Sequence, residues 1–451
     1  MRGGKIGRRA FLKGAAAAGL VGLAAYGGVR YTGYRSSGAK AKIVVIGGGA
    51  AGISAAARLM MILKEPDITI IDPSDKHFYQ PGFTLIASGV YSPDEVYKSQ
   101  ADCIPSGAKW VKDSVVALDA DKRIVTTSKG EKISYDFLVL TPGLVYDWDL
   151  IEGIDPKALG TGNAHCIYEH EGAIKTWDAI KKFVKNGGKG IFTDTYTKHK
   201  CGGAPKKITL LTEHLARKNG TRERLSFNFY TASPELYDVP YYTPRLLEIY
   251  AERNVPINLN TRIVGVDTAA RKVHFRKTEK SADGSAKVSD FKEDYEFLHF
   301  LPPMGTPKFV RESGLSATNG SHAKEGWVDV DKGTLVSKKY PNIISFGDAS
   351  NLPTSKTSAA IRKQVPIAVA NLVSIMEGKQ PQQIYDGYAA CPIITDYGHV
   401  LMCEFDYSKK QKNTFPLPLL FDMSKEQYVA WLMKVYLLKP MYFYGMLNGL
   451  V

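Results

Sequence analysis

The strongest constraint on this chain is a strand that runs directly into closely spaced glycines. Ala41-Lys42-Ile43-Val44-Val45-Ile46 is short, apolar and rich in β-branched residues, as a strand buried on both faces should be. Gly47-Gly48-Gly49-Ala50-Ala51-Gly52 follows at once, then the helix-favouring run Ile53-Ser54-Ala55-Ala56-Ala57-Arg58-Leu59. Gly47 permits the tight turn, Gly49 lets backbone approach a pyrophosphate, and Gly52 allows close helix–strand packing. The helix start offers free N–H groups and positive potential to phosphates. A second strand-like run, Ile68-Thr69-Ile70-Ile71, ends at Asp72, twenty residues beyond Gly52. A carboxylate at that distance accepts hydrogen bonds from ribose hydroxyls. The pattern predicts a βαβ unit that binds a dinucleotide.

The length of 451 residues suggests two or three domains, and 44% hydrophobic with 23% charged residues is ordinary globular composition. The net charge of +14 is concentrated at one end. Residues 1–40 carry eight Lys or Arg and no acid, which leaves 51 basic against 45 acidic residues beyond them. That mild excess has no polybasic tract, and nucleic acid is not an expected partner. Gly7-Arg8-Arg9-Ala10-Phe11-Leu12-Lys13 resembles a twin-arginine export motif, and an Ala/Gly-rich apolar stretch follows to Val29. Residues 1–40 are therefore read as an export signal, with a periplasmic or cell-envelope destination. The five cysteines (Cys103, Cys166, Cys201, Cys391 and Cys403) form neither a disulfide framework nor a zinc-spaced cluster.

Two later segments bear on the cofactor. Tyr135-Asp136-Phe137-Leu138-Val139-Leu140-Thr141-Pro142-Gly143 resembles the strand-then-turn motif of flavoproteins with two dinucleotide-binding domains. Asn342-Ile343-Ile344-Ser345-Phe346-Gly347-Asp348 resembles their strand ending in Gly-Asp, whose acid binds the ribityl and pyrophosphate region. Gly47, Gly49, Gly52, Asp72, Gly143, Gly347 and Asp348 would then converge on one FAD. Between them a second α/β unit begins at the strand Gly190-Ile191-Phe192-Thr193. Its next turn holds Lys198-His199-Lys200-Cys201-Gly202-Gly203-Ala204-Pro205 where a nicotinamide-binding relative would carry GxGxxG. A helix is expected from Pro205 through Arg217, and a thiol at its start is biased toward thiolate by the helix field and neighbouring lysines. Cys201 is the candidate redox residue. A hairpin around Asp283-Gly284 is expected further on.

His77-Phe78-Tyr79-Gln80-Pro81-Gly82, Cys201 through Ile208, Gly326-Trp327-Val328-Asp329-Val330-Asp331 and Leu352-Pro353-Thr354-Ser355-Lys356-Thr357 complete an ordered set. With Gly347-Asp348, Tyr385-Asp386-Gly387-Tyr388 and Glu404-Phe405-Asp406-Tyr407, the chain from residue 41 onward resembles the sulfide:quinone oxidoreductase family, mitochondrial-type branch. The resemblance implies FAD, a sulfide or other small sulfur substrate oxidised through a cysteine persulfide, and membrane quinone as acceptor. Cys201 matches the first family cysteine. The second is expected directly after Gly-Asp, where this chain has Ala349. Cys166, in Cys166-Ile167-Tyr168-Glu169-His170, matches a third cysteine of the bacterial branch and is the substitute partner. Lys356 is implied as a cation beside the flavin. Two alternatives stay open: the flavoprotein subunit of a flavocytochrome c sulfide dehydrogenase, with a separate c-type cytochrome, and a flavin-binding homologue that lost sulfide oxidation at Ala349.

The expected fold is α/β with two Rossmann-like dinucleotide-binding domains and a C-terminal membrane-interfacial helical region. FAD-binding parts are placed at 41–160 and 301–395, the second domain at 161–300, and the quinone and membrane contact at 396–451. Within 424–451, aromatics alternate with Lys425, Lys434 and Lys439, and Pro440 is expected to split the stretch into two short helices.

Overall fold

The computed structural model describes residues 36–280, 285–413 and 421–451. The export motif at Arg8 and Arg9 and the Asp283-Gly284 turn lie outside them. The β-branched runs form a five-stranded parallel sheet, ordered Ile343–Ile344, Phe137–Leu140, Lys42–Ile46, Asp67–Ile71 and Lys109–Val111. Numbered in chain order and read from the Lys109–Val111 edge this is 3-2-1-4-5, the doubly wound arrangement of a dinucleotide-binding domain. Ile43, Val44, Val45, Ile68, Ile70 and Leu138 are all buried, because sheet and crossover helices cover one another. The crossover helix Ala50–Ile62 follows the glycines.

A second parallel sheet repeats the plan, in the order Ala164–His165, Phe297–His299, Gly188–Thr193, Leu225–Tyr230 and Ile257–Asn258. After Gly188–Thr193 a long loop leads to the helix Ala204–Lys218, with Pro205 in its first turn as expected. The fold is thus the α/β, twice Rossmann-like architecture read from the sequence. Lys272–Lys280 and Ala286–Asp294 pair antiparallel on either side of the undescribed turn.

Two elements close the site. The hairpin Ala389–Asp396 with His399–Phe405 turns at Tyr397-Gly398 and packs against Ala204–Lys218. The C-terminal segment is helical from Tyr428 to Met446, with wide π turns over Met433–Leu437 and Met441–Met446. Pro440 does not split it. Its φ of −61° and ψ of −37° are helical, and the flanking π turns absorb the missing amide. Most of this segment's apolar side chains turn inward: Val435, Met441, Tyr442, Phe443, Met446 and Leu447 are buried, while Tyr428, Tyr436, Tyr444 and Leu450 face outward. Among the described residues no helix is long and apolar enough to cross a membrane.

Candidate active site

A cavity of about 460 Å³ opens at the carboxyl ends of the first sheet's strands. Gly47, Gly49, Asp72, Thr141, Gly143 and Asp348 line one part of it, and Cys201, Lys207, Cys391 and Lys434 another. Gly47 turns at φ +98°, and a Cβ there would lie 2.3 Å from the Thr141 carbonyl oxygen. Gly52 does not line the cavity. A Cβ there would lie 1.8 Å from the Gly47 carbonyl oxygen, so it lets helix meet strand. Gly49 has no atom within 4 Å of where a Cβ would stand, which leaves its backbone bare toward the cavity. Asp72 accepts from the Gly48 N–H at 2.7 Å and the Ser74 N–H at 2.9 Å, while burial raises its pKa. Asp348 is likewise raised by burial, opposed by Lys200 and Lys356. Bare glycine backbone, a ribose-binding carboxylate and a second carboxylate beyond Gly347 fit the FAD implied by the resemblance.

The sulfur end is built by the loop before Ala204–Lys218. Cys201 takes the left-handed conformation at φ +49°, uncommon for a residue with a side chain. The loop holds it there: its N–H donates to the Lys356 carbonyl at 3.0 Å, and its carbonyl accepts from the Ala204 N–H at 2.8 Å and the Tyr168 hydroxyl at 3.1 Å. The neighbouring sulfur is Cys391, with Sγ atoms 3.8 Å apart. Gly203 must be glycine for this approach, since its Cβ would lie 2.5 Å from the Cys391 Sγ. Lys207 Nζ donates to the Cys201 Sγ at 3.4 Å. The donated Cys391 thiol proton, with Lys207 and Lys434 nearby, holds Cys201 well below the usual thiol range despite burial. Cys391, as the donor and also buried, is pushed far up. Lys434 is buried, donates to the Pro81 carbonyl at 3.0 Å, and is lowered by burial to about 7.

Several expectations change here. Cys166 is fully buried, does not line the cavity, and has its thiol raised by burial to about 12. The structure brings Cys391 to Cys201 instead. Lys356 donates from Nζ to the carbonyls of Asp348 (2.8 Å) and Ser350 (2.7 Å) and lies 3.9 Å over the Trp327 ring. It lines the cavity beside Asp348, with its ammonium held by the Gly-Asp loop and its carbonyl accepting from the Cys201 N–H. Lys434, read as an interfacial lysine, points into the cavity. Cys391, Lys207 and Lys434 escaped the sequence reading. The usable signal was the Tyr397-Gly398 turn, which makes residues 389–405 a hairpin bearing a cysteine between two quoted motifs.

The family described as pyridine nucleotide-disulphide oxidoreductase matches residues 41–184. The chain is 38% identical over 409 residues to the mitochondrial sulfide:quinone oxidoreductase of Dictyostelium discoideum, covering 90% of this chain and 86% of that protein. It is 36% identical over 408 residues to the mitochondrial sulfide:quinone oxidoreductase of Mus musculus, with the same coverage of 90% and 86%. Among solved structures, it is similar to the sulfide:quinone oxidoreductase of Aquifex aeolicus, with a TM-score of 0.70, 21% identity, and 91% and 92% of the two chains covered. At that identity the structural likeness speaks for the fold. The two mitochondrial relatives, matched over nine-tenths of the chain at more than one-third identity, carry the assignment: the chain belongs to the sulfide:quinone oxidoreductase family.

Proposed function

We propose that the chain is an FAD-dependent sulfide:quinone oxidoreductase whose redox pair is Cys201 and Cys391. The observation that carries this is the 3.8 Å approach of the two sulfurs in the cavity that also presents the dinucleotide loop. In the oxidised form the pair is a disulfide. Lys207, Lys434 and Lys200 give this end of the cavity positive potential for hydrosulfide. Hydrosulfide attacks the Cys391 sulfur, the S–S bond breaks, and Cys201 departs as thiolate. The direction follows from leaving-group strength, because Cys201 is the sulfur whose anion the Lys207 ammonium and the helix start stabilise. Cys391 keeps the new sulfur as a persulfide. Gly47, Gly49, Asp72, Gly143 and Asp348 would hold FAD, which when bound would supply a two-electron acceptor that passes electrons on to quinone; Gly52 and Gly347 shape the loops, and Lys356 fixes Asp348 and Cys201 relative to each other.

The outward Tyr428, Tyr436, Tyr444 and Leu450 support a one-leaflet membrane contact through which quinone enters, since rings at headgroup depth suit an interface. The Arg8-Arg9 motif supports export in folded form to the cell envelope. Anaerobic titration with sulfide, then quinone, tests the central reading. Sulfide bleaches the flavin near one equivalent and quinone restores it. A flavin untouched by sulfide contradicts the reading, and recovery with a c-type cytochrome but not quinone moves the acceptor to a haem partner.

A further inference from the structure

A third sulfur lies behind the redox pair. Cys403 stands directly opposite Cys391 in the hairpin register. Directly paired residues of antiparallel strands share one face, with Cα atoms about 4.5 or 5.5 Å apart according to the type of pair. Both spacings fall inside the window of about 4.4–6.8 Å that a disulfide spans. Their Cα spacing is within the range a disulfide spans. The shared face packs on Ala204–Lys218, and both side chains are buried there, at 1% and 0% exposure.

Two further groups meet at this spot. The Lys207 ammonium, which bonds the Cys201 sulfur, also interacts electrostatically with Cys391 and Cys403. Tyr237 is buried, and its hydroxyl has no oxygen or nitrogen partner among the described residues. The Cys403 sulfur is the group it approaches, with Cys391 and Cys201 also in range. A buried, otherwise unpartnered hydroxyl costs about 1–3 kcal/mol unless it finds an acceptor. A thiolate or a disulfide sulfur at this place supplies one.

We propose that Cys403 is a third redox-active thiol, which takes Cys391 away from Cys201 by thiol–disulfide exchange and parks the enzyme in an oxidised form that reacts slowly with sulfide. The inference rests on the Cys201–Cys391 disulfide argued above. The Cys403 thiol attacks the Cys391 sulfur, the Cys391–Cys201 bond breaks and the Cys391–Cys403 bond forms. Cys201 leaves as the thiolate that Lys207 stabilises, and the Cys403 proton passes out through the cavity that Cys391, Lys207 and Lys434 line. One disulfide replaces another, so no oxidant or reductant is consumed. Burial raises the Cys403 thiol, which keeps its thiolate scarce and the exchange slow, while the Tyr237 hydroxyl and Lys207 favour that thiolate. The parked form therefore builds up in oxidised enzyme left without sulfide rather than during turnover. Sulfide cleaves the parked disulfide slowly, because Cys403, whose thiol burial raises, is a poorer leaving group than Cys201.

Trypsin separates the two states. Cys201–Lys206 is one tryptic peptide, and Gln380–Lys409 carries both Cys391 and Cys403. Oxidised holoenzyme is acid-quenched either fresh or after anaerobic storage without sulfide, then alkylated with N-ethylmaleimide under denaturing conditions. Fresh enzyme should give the two peptides joined. Stored enzyme should also give alkylated Cys201 together with Gln380–Lys409 two hydrogens lighter than its dithiol. The fast phase of sulfide bleaching should fall in proportion to that fraction, and Cys403→Ser should keep it whole. Joined peptides with Cys403 alkylated in every sample would overturn the parked form alone. Full alkylation of all three cysteines in oxidised enzyme would overturn it together with the disulfide reading beneath it.

Discussion

The Cys201 thiol is held below its usual range although burial alone would raise it. Desolvation raises a thiol's pKa, yet the Cys391 proton, Lys207 and Lys434 together outweigh it. Replacing Lys207 by Met should raise the pH at which the reduced enzyme's Cys201 is alkylated by iodoacetamide by about 1–3 units, the range for removing a charge at contact distance. An unshifted profile would take Lys207 out of the site. Ala349→Cys makes a second test. Ala349 is fully buried and the sulfur pair is complete without it. The variant should not bleach faster with sulfide, and overpacking should cost about 1–3 kcal/mol in urea unfolding. Cys201 was legible in the sequence because its glycines and lysines sit at a helix start. Cys391 was not, because its partner is 190 residues away and only folding brings the two together.

At the scale of elements, the C-terminal helical segment acts as a wall of the cavity. Tyr442 reaches the His77 Nε2 at 2.8 Å, while the His77 Nδ1 lies 3.1 Å from the Gly48 carbonyl oxygen in the dinucleotide loop. Arg58 on the following helix donates to the Gly449 carbonyl at 2.9 Å. Tyr442→Phe should leave the buried imidazole short of one partner and cost about 1–3 kcal/mol, read as lower thermal retention of FAD. Deleting 424–451 should lose FAD and the fold's cooperativity together, because Lys434 and seven buried apolar side chains go with it. A truncated protein that keeps FAD would show the segment to be peripheral. The pairing of Lys272–Lys280 with Ala286–Asp294 and the helix starting near Pro205 were readable from turn chemistry and capping. The unbroken path through Pro440 was not, since propensity cannot foresee a π turn fixed by tertiary packing.

The whole molecule joins segments near residues 47, 72, 141, 201, 348, 391 and 434 around one cavity. The parallel sheets were legible as β-branched runs between glycines, because strands buried on both faces allow few other residues. The joining of their far ends with the hairpin and C-terminal segment depends on packing between distant parts of the chain. Stability should also show a pH limit. His165 and His299 are neighbours on paired strands, and burial lowers them to about 4 and about 3. Both values lie below the ordinary 6.5, so the unfolded chain takes up protons first as pH falls. Their contribution is whole above about 6.5 and is lost toward 3–4, with a slope of about 1.4 kcal/mol per pH unit for each histidine. The urea midpoint should drop between pH 7 and pH 5, and His299→Phe should flatten the decline. An equal decline in both would assign the acid sensitivity elsewhere.

We propose that Cys201 and Cys391, and not Cys166, carry the sulfur chemistry, and anaerobic sulfide titration of the FAD-loaded wild type beside Cys391→Ser and Cys166→Ser, followed by flavin absorbance, decides it. Cys166→Ser should bleach as the wild type does, and Cys391→Ser should hold its flavin and stay oxidised. Bleaching preserved in Cys391→Ser and lost in Cys166→Ser would contradict the account.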